Sequence, residues 1–142
     1  MRKHRSIAAR VLFAAMLVCA AGALAQDPRA TAAQSAALAW LSLTDDGEAD
    51  ASWAAAGRQF RQTMDLEKWH ESLDQARKPY GKMLTRTALS TRIEINPKDA
   101  PEGEYAAVVF ETSFEKAARA GESLTLEHES DGAWRVIGYI IR

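Results

Sequence analysis

The spacing of apolar residues changes once along the chain, at Gly81, and this change limits the fold more than any other feature. Between residues 27 and 80, apolar side chains recur every three or four positions, which is typical of amphipathic helices. After Gly81 they alternate with polar ones, and β-branched and aromatic residues become common, which indicates strands. Because the two kinds of segment are segregated, the sequence predicts an α+β fold with helices packed on one face of an antiparallel meander sheet.

Three helices are predicted before Gly81, each bounded by turn or capping residues. The first begins near Pro28, a favourable first-turn residue, and ends at Asp45-Asp46-Gly47. Asp50 is a candidate N-cap for the second helix, and Asp65 is one for the third. In chain order, the apolar stripes contain Ala33, Ala37, Leu38 and Leu41; Trp53, Gly57, Phe60 and Met64; and Leu66, Trp69, Leu73, Ala76 and Tyr80.

Four strands are predicted after Gly81. The first covers residues 83–95, and the composition of residues 96–103, which include two prolines, predicts a loop. The second strand is apolar on both faces around Val108, so it is predicted to be central in the sheet. The third covers about residues 123–129 and the fourth residues 133–142, with Asp-Gly between them as a strong hairpin signal.

The register of this last hairpin has two possibilities. A two-residue turn would pair Leu124 with Tyr139, whereas a three-residue loop would pair Leu126 with Val136. Gly138, inside an otherwise apolar strand, is a candidate position for a β-bulge that would allow both apolar sets to be partly buried.

Residues 1–25 have the three-part organisation of a secretory signal peptide. A basic head is followed by an apolar run over residues 11–24, and Ala-Leu-Ala at the end of this run fits the small-x-small motif of signal peptidase. Cleavage is therefore predicted between Ala25 and Gln26. Retention of the run as a membrane anchor is the second possibility, although the run is shorter than most spanning helices.

Removal of the signal would leave an acidic chain without cysteine. Residues 26–142 contain 14 Lys and Arg against 19 Asp and Glu, a net charge of −5, which argues against nucleic acid and anionic lipid as partners. The only cysteine, Cys19, leaves with the signal, so no disulfide and no thiolate metal site are expected. Lipidation of Cys19 is disfavoured because Val18, not a small residue, precedes it. The sequence thus predicts one periplasmic or secreted α+β domain over residues 26–142, free of the membrane after cleavage.

Recognisable motifs are spread over most of the chain after the leader. They are Trp40-Leu41-x-Leu43 with Asp45 and Gly47, Ser52-Trp53, Trp69, Arg77-x-Pro79-x-Gly81, Arg86, Pro101-x-Gly103-x-Tyr105, Thr112-x-Phe114 and Asp131-Gly132-x-Trp134-Arg135-Val136-x-Gly138-Tyr139. Together they resemble a bacterial secreted family known only as a domain of unknown function, number four-zero-one-nine. The closing segment is more loosely similar to the last strands of nuclear-transport-factor-two-like and cystatin-like cones. The resemblance implies export and a compact, cone-like fold, and it implies no established activity and no catalytic residue.

The sequence contains no complete catalytic or metal-binding set. His70-Glu71-x-x-Asp74 has the spacing of a zinc-protease helix with its second histidine replaced, but no third ligand is evident, and a solvated helix flank explains it. His128 lies between two glutamates, yet successive strand residues point to opposite faces, so neither glutamate orients its ring. A Gly-x-Ser-x-Gly elbow and a glycine-rich phosphate loop are also missing. We therefore predict no catalytic residue, no metal and no cofactor.

Arginines are the better candidates for a binding site. Arg77 near a helix end, Arg86 and Arg92 on one strand face, and Arg135 in the last strand would converge on a ligand carboxylate if the sheet curls over the third helix. In the alternative interpretation they are structural: Arg77 caps helix carbonyls, and the others pair with glutamates on neighbouring strands.

Two tryptophans are further candidates. Trp53 and Trp69 lie in helical stripes and are expected in the core. Trp40 and Trp134 are free enough to line a groove or a partner surface, with core packing as the alternative.

Two classes of function are compatible with these residues. The preferred one is a non-catalytic exported module that binds an unidentified small ligand, a peptide or a periplasmic protein between helices and sheet. The other is an isomerase or dehydratase with a cone fold, in which a buried acid abstracts a proton and Tyr80, Tyr105 or Tyr139 stabilises an oxyanion. Because the acidic residues fall mostly in caps, loops and polar faces, we expect no Asp or Glu that is both buried and within hydrogen-bond reach of a pocket tyrosine.

Overall fold

The computed structural model describes residues 26–142, in which four helices precede four strands. The helices are α1 (Pro28–Asp45), α2 (Ala49–Ala55), α3 (Arg58–Thr63) and α4 (Leu66–Arg77); the strands are β1 (Met83–Ile95), β2 (Glu104–Phe114), β3 (Ala117–His128) and β4 (Trp134–Ile141). The predicted α+β class and antiparallel sheet are confirmed. The predicted signal peptide, with its cleavage site and the alternative anchor, involves residues 1–25, which lie outside the described part. Within the described part, no helix is long and apolar enough to cross a bilayer.

The second predicted helix is divided at Ala56 and Gly57, so that four helices stand where three were predicted. Both residues have extended backbone, with φ/ψ of −69°/161° and −68°/160°. The Gly57 N–H donates to the carbonyl of Val136 in β4 at 2.7 Å. A Cβ atom at Gly57 would lie 2.6 Å from a methyl carbon of Ile137, closer than real Cβ contacts. Packing against β4 thus outweighs the helical spacing that had placed Gly57 in an apolar stripe.

Of the two N-caps predicted from the sequence, the one at α4 is present and the one at α2 is not. Asp65 accepts the backbone N–H of Lys68 at 2.9 Å, as a helix N-cap does. Asp50 lies inside the first turn of α2, and the cap position before this helix is Glu48, whose side chain makes no capping bond. The predicted Asp50 cap is therefore wrong, because the helix begins one residue before it.

The sheet is a meander in the order β1-β2-β3-β4, with every neighbouring pair antiparallel. β2 lies between β1 and β3, so its predicted central position is confirmed. β1 has the predicted bounds, and its pairing with β2 is interrupted by two register shifts. β3 begins at Ala117, earlier than predicted, and pairs with the end of β2 directly after a short turn.

The last hairpin combines the two predicted registers. Leu124 pairs with Tyr139, as a two-residue turn requires, and Leu126 pairs with Val136, as the longer loop requires. A register shift between Thr125 and Leu126 reconciles them, because β4 has one extra residue there. The irregularity predicted near Gly138 is therefore confirmed.

The helices cover one face of the sheet, and α1 contacts all four strands. An aromatic cluster lies at the centre of this interface: the ring centroids of Phe60 and Trp69 are 5.0 Å apart, and those of Trp40 and Tyr139 are 5.5 Å apart. Each fully buried large apolar side chain contributes about 1.5–3 kcal/mol. Around these rings the buried core consists of Ala33, Ala37, Leu41, Ala49, Ala56, Leu73, Ala106, Val108, Phe110, Leu124, Leu126 and Val136.

Candidate functional site

A buried ionic network joins the end of α1, the end of α4 and strands β1 and β3. Arg86 donates from its two terminal nitrogens to the two carboxylate oxygens of Asp45 at 2.7 and 2.9 Å, and from Nε to Glu122 at 2.8 Å. Arg77 donates to Asp45 at 2.8 Å and to the Thr44 hydroxyl at 3.1 Å. The side chain of Glu122 is 0% exposed and that of Arg86 is 6% exposed. Two arginines thus balance two carboxylates in the interior.

Glu122 contradicts the expectation that no buried acid would contact a pocket tyrosine. Its carboxylate accepts hydrogen bonds from the Thr112 hydroxyl at 2.5 Å and from the Tyr139 hydroxyl. The prediction failed because β3 begins six residues before the predicted start. When the strand starts at Ala117, the alternation of side chains places Glu122 on the helix-facing side together with Leu124. A prediction with the correct start of β3 would therefore have identified Glu122 as buried.

The protonation states of the network follow from burial and from these partners. Burial raises the pKa of Tyr139 above the usual phenol range, and the Glu122 carboxylate raises that pKa further. Burial acts to raise the pKa of Asp45, but hydrogen bonds from Arg86 and Arg77 outweigh it, so the pKa lies below its ordinary value. Tyr139 is therefore a neutral phenol whose proton is directed at Glu122, and Asp45 is charged.

The candidate arginines separate into two groups. Arg77 and Arg86 do converge on a carboxylate, but it is Asp45 of the chain itself, and Arg77 reaches a side chain instead of capping helix carbonyls. Arg135 lies elsewhere, in a cluster at the β3–β4 hairpin where it contacts Glu129 and Asp131. Arg92 is exposed.

The candidate tryptophans Trp40 and Trp134 both line a depression of about 220 Å³ between α1, α2 and β4. Trp40 is 3% exposed and donates its ring N–H to the Ser52 carbonyl at 2.8 Å, so most of its side chain packs in the core. Trp134 is half-buried and stacks on His128 with ring centroids 4.8 Å apart. Trp53 is half-buried too, whereas Trp69 is buried as predicted.

The histidine motif on α4 makes an ordinary surface pair. His70 Nε2 lies 2.5 Å from an oxygen of Asp50, and both side chains are exposed. Residues 26–142 contain no group of three or more His, Cys, Asp or Glu side chains arranged to hold a metal ion.

A groove of about 460 Å³ lies between α3, α4 and β4, and we call it the α4–β4 groove. Its lining is largely aromatic and aliphatic, with the hydroxyl-bearing residues Ser72, Tyr80 and Tyr139 among them. The lining residues are Phe60, Met64, Trp69, Ser72, Ala76, Pro79, Tyr80, Tyr139, Ile140 and Ile141. Depressions of about 500 Å³ beside Arg77 and beside Arg135 are lined by charged side chains of both signs. The α4–β4 groove is therefore a concave site suited to an apolar ligand.

A family model described as "Protein of unknown function (DUF4019)" matches residues 36–139. The comparisons with curated proteins and with solved structures gave no match. The looser resemblance to nuclear-transport-factor-two-like and cystatin-like cones therefore stays a prediction. The match covers well over half of the sequence and coincides with the motifs noted in it, so the chain belongs to the DUF4019 family of proteins of unknown function.

Proposed function

We propose that this chain is an exported, non-catalytic module that binds a ligand in the α4–β4 groove. The observation that carries the proposal is the lining of this groove, in which aromatic and aliphatic side chains surround a few hydroxyl groups. Apolar concavities with a small number of polar groups are the usual form of ligand sites. Export is supported by the composition of residues 1–25, with its basic head, apolar run and cleavage motif.

The ionic network that Tyr139 connects to the groove fits a structural role better than a catalytic one. Glu122 is fully buried, and its two oxygens already accept hydrogen bonds from Arg86, Thr112 and Tyr139. A general base must reach the proton that it abstracts, and this carboxylate is covered by its own partners. The hydroxyl proton of Tyr139 is likewise committed to Glu122, so it is not offered to an oxyanion.

Methionine methyl NMR tests the groove directly. After signal removal the chain retains two methionines, Met64 in the groove and Met83 at the start of β1. Titration of the purified protein with anilinonaphthalene sulfonate, an aromatic probe, is expected to shift the Met64 methyl signal and leave the Met83 signal in place. Equal shifts of both signals, or none at saturating probe, would contradict the proposal.

A matched pair of variants locates the probe. Ala76 is half-buried and lines the groove, whereas Ala54 is exposed on α2. Ala76→Trp is expected to fill the groove and abolish the probe-induced Met64 shift, while Ala54→Trp leaves it unchanged. Circular dichroism establishes that both variants are folded. Undiminished probe binding by a folded Ala76→Trp variant would place the ligand elsewhere.

The contact between Glu122 and Tyr139 favours one second candidate, a proton-transferring enzyme of the isomerase or dehydratase kind. Such an enzyme would exchange the α-protons of an apolar ketone with solvent deuterium, and proton NMR of cyclopentanone in D₂O measures this exchange. We expect the rate with wild-type protein to equal the buffer rate. Exchange above the buffer rate that is lost in Tyr139→Phe would favour the enzyme, since this variant keeps the ring and removes only the hydroxyl.

A further inference from the structure

We infer that the ligand of the α4–β4 groove is an extended, uncharged peptide segment that pairs with residues 137–141 of β4 as a fifth strand. This inference rests on the proposed function, because the same groove receives the side chains of the peptide. Strand addition at a sheet edge gains affinity from main-chain hydrogen bonds and specificity from pockets for alternate side chains.

Some N–H and C=O groups of β4 point away from β3, because hydrogen-bonded and non-hydrogen-bonded pairs alternate along the two strands. Gly121 and Arg142 exchange two backbone hydrogen bonds, at 2.6 and 3.0 Å. In an antiparallel ladder such pairs alternate with pairs whose N–H and C=O groups point outward. Tyr139 and Ile141 are at the outward positions, and β3 is the strand that pairs with β4 in the described part of the chain. Two N–H and two C=O groups are therefore presented along the edge beside the groove.

One main-chain group of the same edge, the Val136 carbonyl, is already paired with an extended segment of the chain. Ala56 and Gly57 have extended backbone, and the Gly57 N–H donates to the Val136 carbonyl at 2.7 Å. Val136 precedes the free stretch directly. A peptide strand on residues 137–141 would thus be continuous with an edge contact that the fold itself makes.

The two edges of the sheet differ in protection. Exposed edges are usually blunted by bulges, charged side chains or proline. β1, at the other edge, has two register shifts and carries Arg86, Arg92 and Glu94. β4 has one register shift, with Ile137 as its extra residue, and residues 137–141 read Ile-Gly-Tyr-Ile-Ile, without charge or proline. An uncharged partner strand complements this stretch.

The position of the groove selects apolar side chains at alternate positions of that partner. Tyr139 and Ile141 line the groove and lie two residues apart, so they share a face of the strand. A peptide that extends the sheet would direct every second side chain to this face, toward Phe60 and Met64. The expected ligand is therefore an uncharged segment that alternates apolar and small polar residues.

Amide hydrogen exchange measured by NMR tests this pairing. The probes are capped heptapeptides that alternate threonine with valine, leucine or phenylalanine, each also prepared with N-methylated backbone on its pairing edge. A bound peptide is expected to slow exchange of the Tyr139 and Ile141 amides by about tenfold or more, and the N-methylated versions are expected to lose this protection. Absence of protection with all three peptides at millimolar concentration would overturn the inference.

A substitution at the edge supplies the matched control. The Ile141 N–H points away from β3, so Ile141→Pro removes an edge donor without removing a bond of the sheet, and Ile141→Val keeps the donor. Peptide binding by Ile141→Pro is expected to be about tenfold weaker than peptide binding by Ile141→Val. Equal affinities in two folded variants would overturn strand addition.

The aromatic probe separates this inference from the proposed function. If Ile141→Pro and wild type both show the probe-induced Met64 shift but neither binds peptide, the groove is a small-molecule site and only the inference fails. If the Met64 signal does not respond to the probe or to any peptide, the proposed function fails as well.

Discussion

Arg86 and Arg135 each bridge two carboxylates, yet they do so in opposite surroundings. Arg86 joins Asp45 and Glu122, which are 41 and 36 residues away in sequence, and its side chain is 6% exposed. Arg135 joins Glu129 and Asp131 of its own hairpin, and its side chain is 31% exposed. The distances are nearly the same, between 2.7 and 2.9 Å. Distance and residue type are therefore alike in the two clusters, and solvent exposure is what distinguishes them.

The two clusters are expected to respond differently to the loss of one member. Exposed ion pairs contribute about 0–1 kcal/mol, because water and salt screen them and ordering the side chains costs entropy. Removal of one partner from a buried pair costs about 3–5 kcal/mol, because the remaining charge is uncompensated in the interior. The buried network thus connects α1 and α4 to the sheet, whereas the hairpin cluster connects only residues of one turn and its flanking strands.

The largest effect is expected for Arg86→Met. This change leaves Asp45 and Glu122 without their shared cation, so the free energy of unfolding should fall by about 3–5 kcal/mol. Urea denaturation followed by tryptophan fluorescence measures it, with Arg135→Met as the control that should stay close to wild type. Similar losses in the two variants would remove the distinction between the clusters.

A smaller effect is expected for Tyr139→Phe. One oxygen of the buried Glu122 loses its donor, so the free energy of unfolding should fall by about 1–3 kcal/mol. Tyr105→Phe is the control, because the Tyr105 hydroxyl donates to the exposed Pro101, whose carbonyl can turn to water. Ultraviolet titration adds an independent readout: because the pKa of Tyr139 is raised, the folded wild type should retain one protonated phenol above the usual phenol range, and Tyr139→Phe should lack it. Absence of this late-ionising phenol from the folded wild type would contradict the buried contact.

The pH dependence of the two aspartates sharpens the comparison further. The pKa of Asp45 is lowered on folding, so the stability from its ionised form is present above the ordinary value of 3.8 and is lost as the pH falls through the folded pKa. Hydrogen bonds from Arg135 lower the pKa of Asp131 to about 2. Carbon NMR titration of the carboxyl groups at low salt and in molar salt distinguishes the two: salt should move the midpoint of exposed Asp131 toward 3.8 and leave that of Asp45 in place. Equal shifts of the Asp45 and Asp131 midpoints with salt would mean that both carboxylates are screened equally, and would contradict the difference between the clusters.

The smallest effect is expected for Asp131→Asn. The side chain is 56% exposed, and water can replace its contacts to Arg135. The urea midpoint of this variant should match wild type, while Asp45→Asn should lower it. A loss for Asp131→Asn as large as that for Asp45→Asn would mean that the hairpin cluster is part of the stabilising framework.

The spacing of apolar residues predicted most of the secondary structure, but it did not predict the buried ionic network. The alternation after Gly81 identified all four strands and even the irregularity near Gly138, because side-chain period is a property of neighbouring residues. The bond between Arg86 and Asp45 has no local signature, since it joins residues that only the folded chain brings together. Glu122 was missed because the predicted third strand began after it, which left it in a polar segment. Arg77 and Arg86 do converge on a carboxylate, but it belongs to Asp45, and a role of these arginines in ligand binding stays a prediction.

Gly57 has a consequence for how this chain tolerates change. Alanine is the better residue for continuing a helix from α2 into α3, by about 1 kcal/mol relative to glycine. Its methyl group, however, would collide with Ile137 and the neighbouring Val136 carbonyl. Local preference and tertiary fit thus demand opposite residues at one position, and a substitution chosen to strengthen the helices would push the helical layer away from the last strand.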